Sequence, residues 1–302
     1  HLHVATAFSA HYGVSRPSAL VAAAAFALAF ATQGRMLLVQ VRPLTLALTG
    51  WLVFTVLISE DFSASVRRFV LFGLMATLAL SLFLLPQGRR QMARLMLIAS
   101  AILLVLSYAG VLLLPEVSVH QAVDLIEPQL AGDWRGVFPH KNTAGAMFSV
   151  VVFVGLYAAR TGFPVAGLAT ALAAGLFVLC SGAKSSILLM PAAIVVVMLV
   201  NRLRSRVLRT AAVLAPLLTL SALGPGTVLS DTLSAVVRLL PIDATYTGRA
   251  DVWVFAFEKI AQKPFTGYGF NTFWTLDSTR FGTEMVGEWA SAAAHAHNSY
   301  ID

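Results

Sequence analysis

The sequence predicts an all-α, polytopic transmembrane helical bundle of about eight spans that carries one long extracytoplasmic loop. Three observations lead there. Of 302 residues, 58% are hydrophobic and only 12% are charged, against a usual charged share of roughly a quarter in soluble domains. Apolar runs near the length needed to cross a bilayer recur along the first three quarters of the chain. The character of the chain then changes at residue 224, where a polar stretch begins and continues to residue 302.

In chain order the candidate spans are 17–33, 43–59, 67–86, 94–114, 143–160, 163–180, 185–200 and 208–224. The first is rich in alanine and the seventh is short. The runs are too long and too uniformly apolar for barrel strands, and a helix satisfies its own backbone polar groups in hydrocarbon. The expected organisation is therefore a transmembrane helical bundle with short loops over 1–223. Beyond it a large loop over 224–302 is expected to carry the chemistry and to lead through Ser299-Tyr300-Ile301 into a further C-terminal span. Cys180 is the only cysteine, which rules out an intramolecular disulfide.

Lysine and arginine number 21 against 14 aspartate and glutamate, a formal charge of +7. In a membrane protein such an excess serves topology or anionic substrates, so nucleic acid is not an expected partner. Arg35, Arg42, Arg89, Arg90, Arg94, Arg160 and the Arg202, Arg204, Arg206, Arg209 run all fall on one side if the spans alternate. By the positive-inside rule that side is cytoplasmic. The other side receives Ser59–Val66, the 115–142 loop, Ser181–Lys184 and the whole 224–302 region, with Arg67 and Arg68 a local exception.

Three clusters of chemically capable residues belong to that outer side. One is Arg135-Gly136-Val137-Phe138-Pro139-His140-Lys141-Asn142, which enters the fifth span. Another is Ser181-Gly182-Ala183-Lys184-Ser185-Ser186, which enters the seventh. The third lies in the long loop: Thr247-Gly248-Arg249 through Trp253, then Lys263-Pro264-Phe265-Thr266-Gly267-Tyr268-Gly269, then His295-Ala296-His297-Asn298.

In order and spacing these motifs resemble the O-antigen ligase superfamily, which includes O-antigen ligases, O-antigen polymerases and exopolysaccharide polymerases. The resemblance covers roughly residues 130–302, and the Arg-Gly-x-Phe-x-His-Lys-Asn run is most similar to the exopolysaccharide polymerase branch. It implies a membrane glycosyltransferase architecture and a multi-pass protein of the bacterial inner (cytoplasmic) membrane with its active site on the periplasmic face. It also implies transfer of a glycan from an undecaprenyl-pyrophosphate carrier without a metal ion or other cofactor. The implied functional residues fall on Arg249, in the periplasmic loop, and on His297, just before the next span. The family's cationic position after Ser-x-x, commonly Arg, falls on Lys184, which keeps the charge but loses the bidentate fork. Expected partners are the lipid-linked glycan donor, a glycan or lipid A-core acceptor, membrane lipids and other envelope polysaccharide assembly proteins.

The chemistry is consistent with those roles. A pyrophosphate leaving group gains negative charge as the glycosidic bond breaks, and preorganised cations stabilise it. Arg249 opens a predicted helix, 249–262, with Val252, Phe255, Ala256 and Ile260 on one face. Arg249, Lys184 and Lys141 thus all stand at or near helix N-termini, where free N–H groups add to their charge. His297 can take the proton of an acceptor hydroxyl as it attacks the anomeric carbon. Direct displacement of this kind inverts the anomeric configuration.

Each residue also has a structural reading. Arg249 can pair with Asp251 or a headgroup, Lys184 can anchor at the interface, His140 can cap the fifth span, and Arg135 can be a loop charge. Leu233, Val236, Val237 and Leu240 recur with helical spacing, as in an amphipathic helix at a membrane surface. A transporter or flippase for a lipid-linked saccharide is the rival function, but it would place charges at the membrane midplane, and the span interiors here hold almost none. A scaffold for an envelope complex is a third reading. Polymerase and ligase stay open, with the His140-Lys141-Asn142 run favouring polymerase by resemblance.

Overall fold

A computed structural model of the chain describes residues 31, 42–84, 86–124, 127–239 and 249–275. Among them the structure is helical: α1 (Pro43–Leu57), α2 (Phe62–Leu84), α3 (Arg89–Leu113), α4 (Lys141–Arg160), α5 (Pro164–Cys180), α6 (Lys184–Arg202), α7 (Arg206–Leu223), α8 (Asp231–Arg238) and α9 (Arg249–Gln262), with single helical turns between some of them. Every candidate span from 43–59 onward has a helix; the span 17–33 lies, apart from Ala31, outside the described residues. By length and composition four of these helices can cross a membrane, namely α3, α4, α6 and α7, while α1 and α5 are apolar but shorter. The chain divides into two compact units within α7, one holding residues 85–215 and the other 1–84 with 216–302.

In the 85–215 unit the centre is the α4–α5 pair, with α3 against both and α6 along α4. Small residues make that pairing possible. A Cβ on Gly155 would lie 2.6 Å from the Gly167 carbonyl oxygen, and one on Gly167 would lie 2.4 Å from the Ala159 nitrogen. Backbones this close pack by van der Waals contact, the main attraction left when lipid is as apolar as the side chains. Arg160 closes α4 where a cation favours the helix dipole, and Pro164 opens α5 at a position that needs no N–H. Above this seam Phe148 and Phe177 stack with centroids 4.1 Å apart, among Leu104, Val111, Val151 and Val178. The hydrophobic windows of α6 and α7 bury nothing, as expected of surfaces facing lipid.

Loop contacts agree with alternating spans in this unit. At one end Arg90 lies 5.6 Å from the Phe163 ring and the Tyr157 hydroxyl bonds to the Arg89 carbonyl. At the other, the 115–140 loop meets the 181–183 turn, with Trp134 N–H donating to the Cys180 carbonyl at 3.1 Å. The arginines of α3, α4 and α6 gather at the first end.

The other unit is described by its own contacts. Asp61 caps α2 by accepting from Ala64 N–H at 2.9 Å, so the helix starts at Phe62, earlier than its apolar run. The 263–272 segment docks on that same end. Ser65 donates to the Phe270 carbonyl, Arg68 to the Asn271 carbonyl, and Phe270 is set edge-on between Phe69 and Phe72. This gives Arg68 a structural task in the fold. The Gly267 and Gly269 backbones are left-handed (φ 62° and 107°), forming the turn expected after Pro264. A Cβ on Gly269 would strike Ser59.

The predicted amphipathic stretch forms α8, capped by Ser230, with Val237 buried and Leu239 exposed; Leu240 lies outside the described residues. α9 has the expected bounds. Its buried face differs in part: Val252, Trp253 and Ala256 are inside, whereas Ile260 is 42% exposed. Trp253 is therefore a core residue. Phe255 packs instead against Phe273 and Trp274.

Candidate functional site

Two of the three clusters meet in the 85–215 unit, at the end where α4 and α6 begin. The 115–140 loop reaches them because it is pinned at its middle. Trp134 packs its ring against the Tyr108 and Phe177 rings, 5.8 and 5.4 Å from their centroids and edge-on to Tyr108. Phe138 does the same against Phe148 at 5.9 Å. An antiparallel bridge joins Val119 to Trp134, and the N–H groups of Arg135 and Gly136 both donate to the Ser118 carbonyl. Asp133 and Arg135, flanking Trp134, are placed by this anchoring.

The first turn of α4 is capped by two imidazoles. His140 is the N-cap, its Nδ1 accepting from Asn142 N–H at 3.1 Å, and its Nε2 lies 2.9 Å from Glu127 Oε2. His120 Nε2 accepts from Lys141 N–H at 3.2 Å, and its Nδ1 lies 3.4 Å from Asp124 Oδ2. An imidazole nitrogen that accepts an N–H carries no proton, so His120 is held as the tautomer that donates from Nδ1 to Asp124. The rings meet edge to face at 5.1 Å. Burial, then the charges of Arg135 and His140, pull the His120 pKa below the ordinary histidine value despite Asp124. The Gln121 N–H holds the Asp124 carboxyl below its ordinary value.

The cations differ in their company. Lys141 Nζ donates to Asp133 Oδ2 at 2.6 Å and approaches the Gly182 carbonyl at 3.4 Å. Arg135 gives its Nε to the Val117 carbonyl and pairs with no carboxylate among the described residues. Lys184, the first residue of α6, is exposed and makes no ion pair among the described residues. The turn ahead of it is built tightly. Ser181 Oγ donates to the Val178 carbonyl and accepts from Ala183 N–H, and Gly182 takes φ 59°. The first turns of α4 and α6 touch: a Cβ on Gly145 would be 2.6 Å from Ala183 Cβ and 2.9 Å from Ser186 Oγ.

A lysine at a helix N-terminus opposes the helix dipole at a cost of roughly 0.3–1 kcal/mol. Asp133 answers that cost for Lys141. For Lys184 the free charge, the open N–H groups and the exposure together make a place where an anion is stabilised.

The third cluster is only partly described. Arg249 is the first residue of α9. Thr247, Gly248, His295, His297 and Asn298 lie outside the described residues. Lys263, the middle of the loop motif, pairs with Glu60 at 2.7 Å and lies 4.4 Å from the Tyr268 ring centre. Sequence reading passed over His120, Asp124, Glu127 and Asp133. The only local signal for them was that they share one polar loop with Arg135 and His140.

Residues 168–302 match the model of a family described as O-Antigen ligase. The segment holds Lys184, Arg249 and His297 and begins within α5, so the Arg135–Asn142 run lies outside it. No curated protein and no solved structure matches the chain. The family's general activity, glycosyl transfer at a membrane in polysaccharide biosynthesis, accords with the apolar helices and with a cationic turn at their end. Residues 168–302, somewhat under half of the chain, support a relationship to the O-antigen ligase/polymerase superfamily.

Proposed function

We propose that the protein transfers a glycan from an undecaprenyl-pyrophosphate carrier to a sugar hydroxyl at the periplasmic face of the bacterial inner membrane, by metal-independent inverting displacement. The observation that carries this reading is Lys184, an exposed cation at a helix N-terminus, unpaired among the described residues and within the matched segment. A diphosphate leaving group develops charge that such a position stabilises. Arg249, heading α9, is the second cation for the leaving group, and His297 is the base for the acceptor hydroxyl. Arg135 offers its remaining guanidinium N–H groups to phosphate or glycan oxygens. Lys141 reaches substrate only by exchanging Asp133 for a phosphate, and His140 acts on the glycan through the edge it now gives to Glu127.

The arginines at the opposite end of α3, α4 and α6 support reading this end as the outer one. Polymerase is favoured over ligase by the Arg135–Asn142 run. The test uses the full-length protein in detergent with a single undecaprenyl-pyrophosphate oligosaccharide and resolves products by size. A ladder of longer lipid-linked glycans that His297→Ala abolishes is the expected result. Transfer only on addition of lipid A-core would make the protein a ligase. No transfer to either acceptor would overturn the reading and favour saccharide transport.

A further inference from the structure

We propose that Asp133 is a positioning residue for Lys184, an inference that rests on the glycosyl-transfer reading above. Asp133 does not touch Lys184; it fixes the turn from which Lys184 projects. Its Oδ2 holds Lys141 Nζ at 2.6 Å, and the same ammonium reaches the Gly182 carbonyl at 3.4 Å. Its Oδ1 lies so close to Gly182 that a Cβ there would come within 2.3 Å of it. The neighbouring Trp134 N–H holds the Cys180 carbonyl. The 180–182 segment is thus held by the carboxylate, by the lysine the carboxylate orients, and by the next residue's backbone.

The carboxylate is itself fixed. The Asp133 carbonyl accepts from His120 N–H at 2.9 Å, and Trp134 is locked in the aromatic core. Gly182 is left-handed and without a side chain, which lets the carboxylate lie against it. Lys184 follows two residues later as the first residue of α6, whose start is pressed on α4 at Gly145. Removing the negative charge frees Lys141 from its partner and the turn from both contacts. Displacement of a charge-stabilising group by about 1 Å can cost on the order of a hundredfold in rate.

The test is a double-mutant cycle in the transfer assay: wild type, Asp133→Asn, Lys184→Ala and the double variant, each checked for thermal unfolding in the same detergent. Asp133→Asn should lose roughly tenfold to a hundredfold in kcat/KM, and the double variant should be no worse than Lys184→Ala alone. A purely structural role for Asp133 would instead multiply the two losses, and that result overturns the proposal. So does wild-type activity in Asp133→Asn. If Asp133→Asn fails to fold, Asp133→Asn/Lys141→Gln keeps a neutral hydrogen-bonding pair and must show the same coupling to Lys184. Wild-type activity in Lys184→Ala would overturn the use of Lys184 as well. Multiplied losses beside an impaired Lys184→Ala would overturn only the role of Asp133.

Discussion

Lys141 and Lys184 stand at the same kind of place, each the first residue of a long apolar helix, on first turns that touch at Gly145 and Ala183. Around Lys141 every polar group has a partner: Asp133 on the ammonium, His120 on the backbone N–H, and His140 capping the next residue. Around Lys184 no side chain answers the charge among the described residues. The contrast teaches that a cation at a helix N-terminus says little until its anion is located. Where the chain supplies the anion, the lysine is architecture. Where it does not, the site is left for a ligand's charge.

The widest gap should appear in stability. Lys141→Ala leaves Asp133, only 28% exposed, without its partner, and Lys141 itself is 13% exposed. Loss of a charged hydrogen bond so shielded costs about 2 kcal/mol. Lys184→Ala should stay within about 0.5 kcal/mol of wild type, since it removes a cation from the positive end of a helix. Thermal unfolding of both variants in one detergent checks this, and equal Tm losses would break the distinction between the two lysines.

A smaller effect concerns pH, and it too should be confined to the Lys141 end. The lowered pKa of His120 means the unfolded chain takes up its proton first as pH falls. Stability from this group is complete above the ordinary histidine value and is lost as pH drops from there toward the lowered one. Asp124, held low chiefly by the Gln121 N–H, adds stability that is lost only in stronger acid. Protonation of His120 Nε2 also turns a cap acceptor into a donor facing the Lys141 N–H. Amide exchange at Lys141 should therefore quicken as the pH falls below the ordinary histidine value, while exchange at Ser185 and Ser186 is unaltered. Parallel quickening at both helix starts would contradict the assignment.

Much of the fold was legible because span length and apolarity are local properties. Helices α3 to α7 follow their runs closely, and α9 is bracketed by Gly248 and Pro264. The start of α2 was not legible, because a cap at Asp61 extends it past the apolar run. Trp253 was ambiguous since an aromatic residue suits a core, an interface or a sugar equally. The Asp133–Lys141 pair was hidden for a deeper reason. It exists because Trp134, partly buried against Tyr108 and Phe177, carries its neighbour onto the 181–183 turn. No periodicity encodes that contact. The candidate cations were visible by type, but which of them was already occupied required the path of the loop.

The most direct test of the account is the rate of glycan transfer from an undecaprenyl-pyrophosphate oligosaccharide by Lys184→Arg and Lys184→Gln, both verified as folded. The arginine variant, which keeps the charge, should retain most of the activity. The glutamine variant should lose on the order of a hundredfold, the usual cost of removing one charge-stabilising donor. A glutamine variant as active as wild type would contradict the claim that the unpaired lysine at the start of α6 receives the substrate's negative charge.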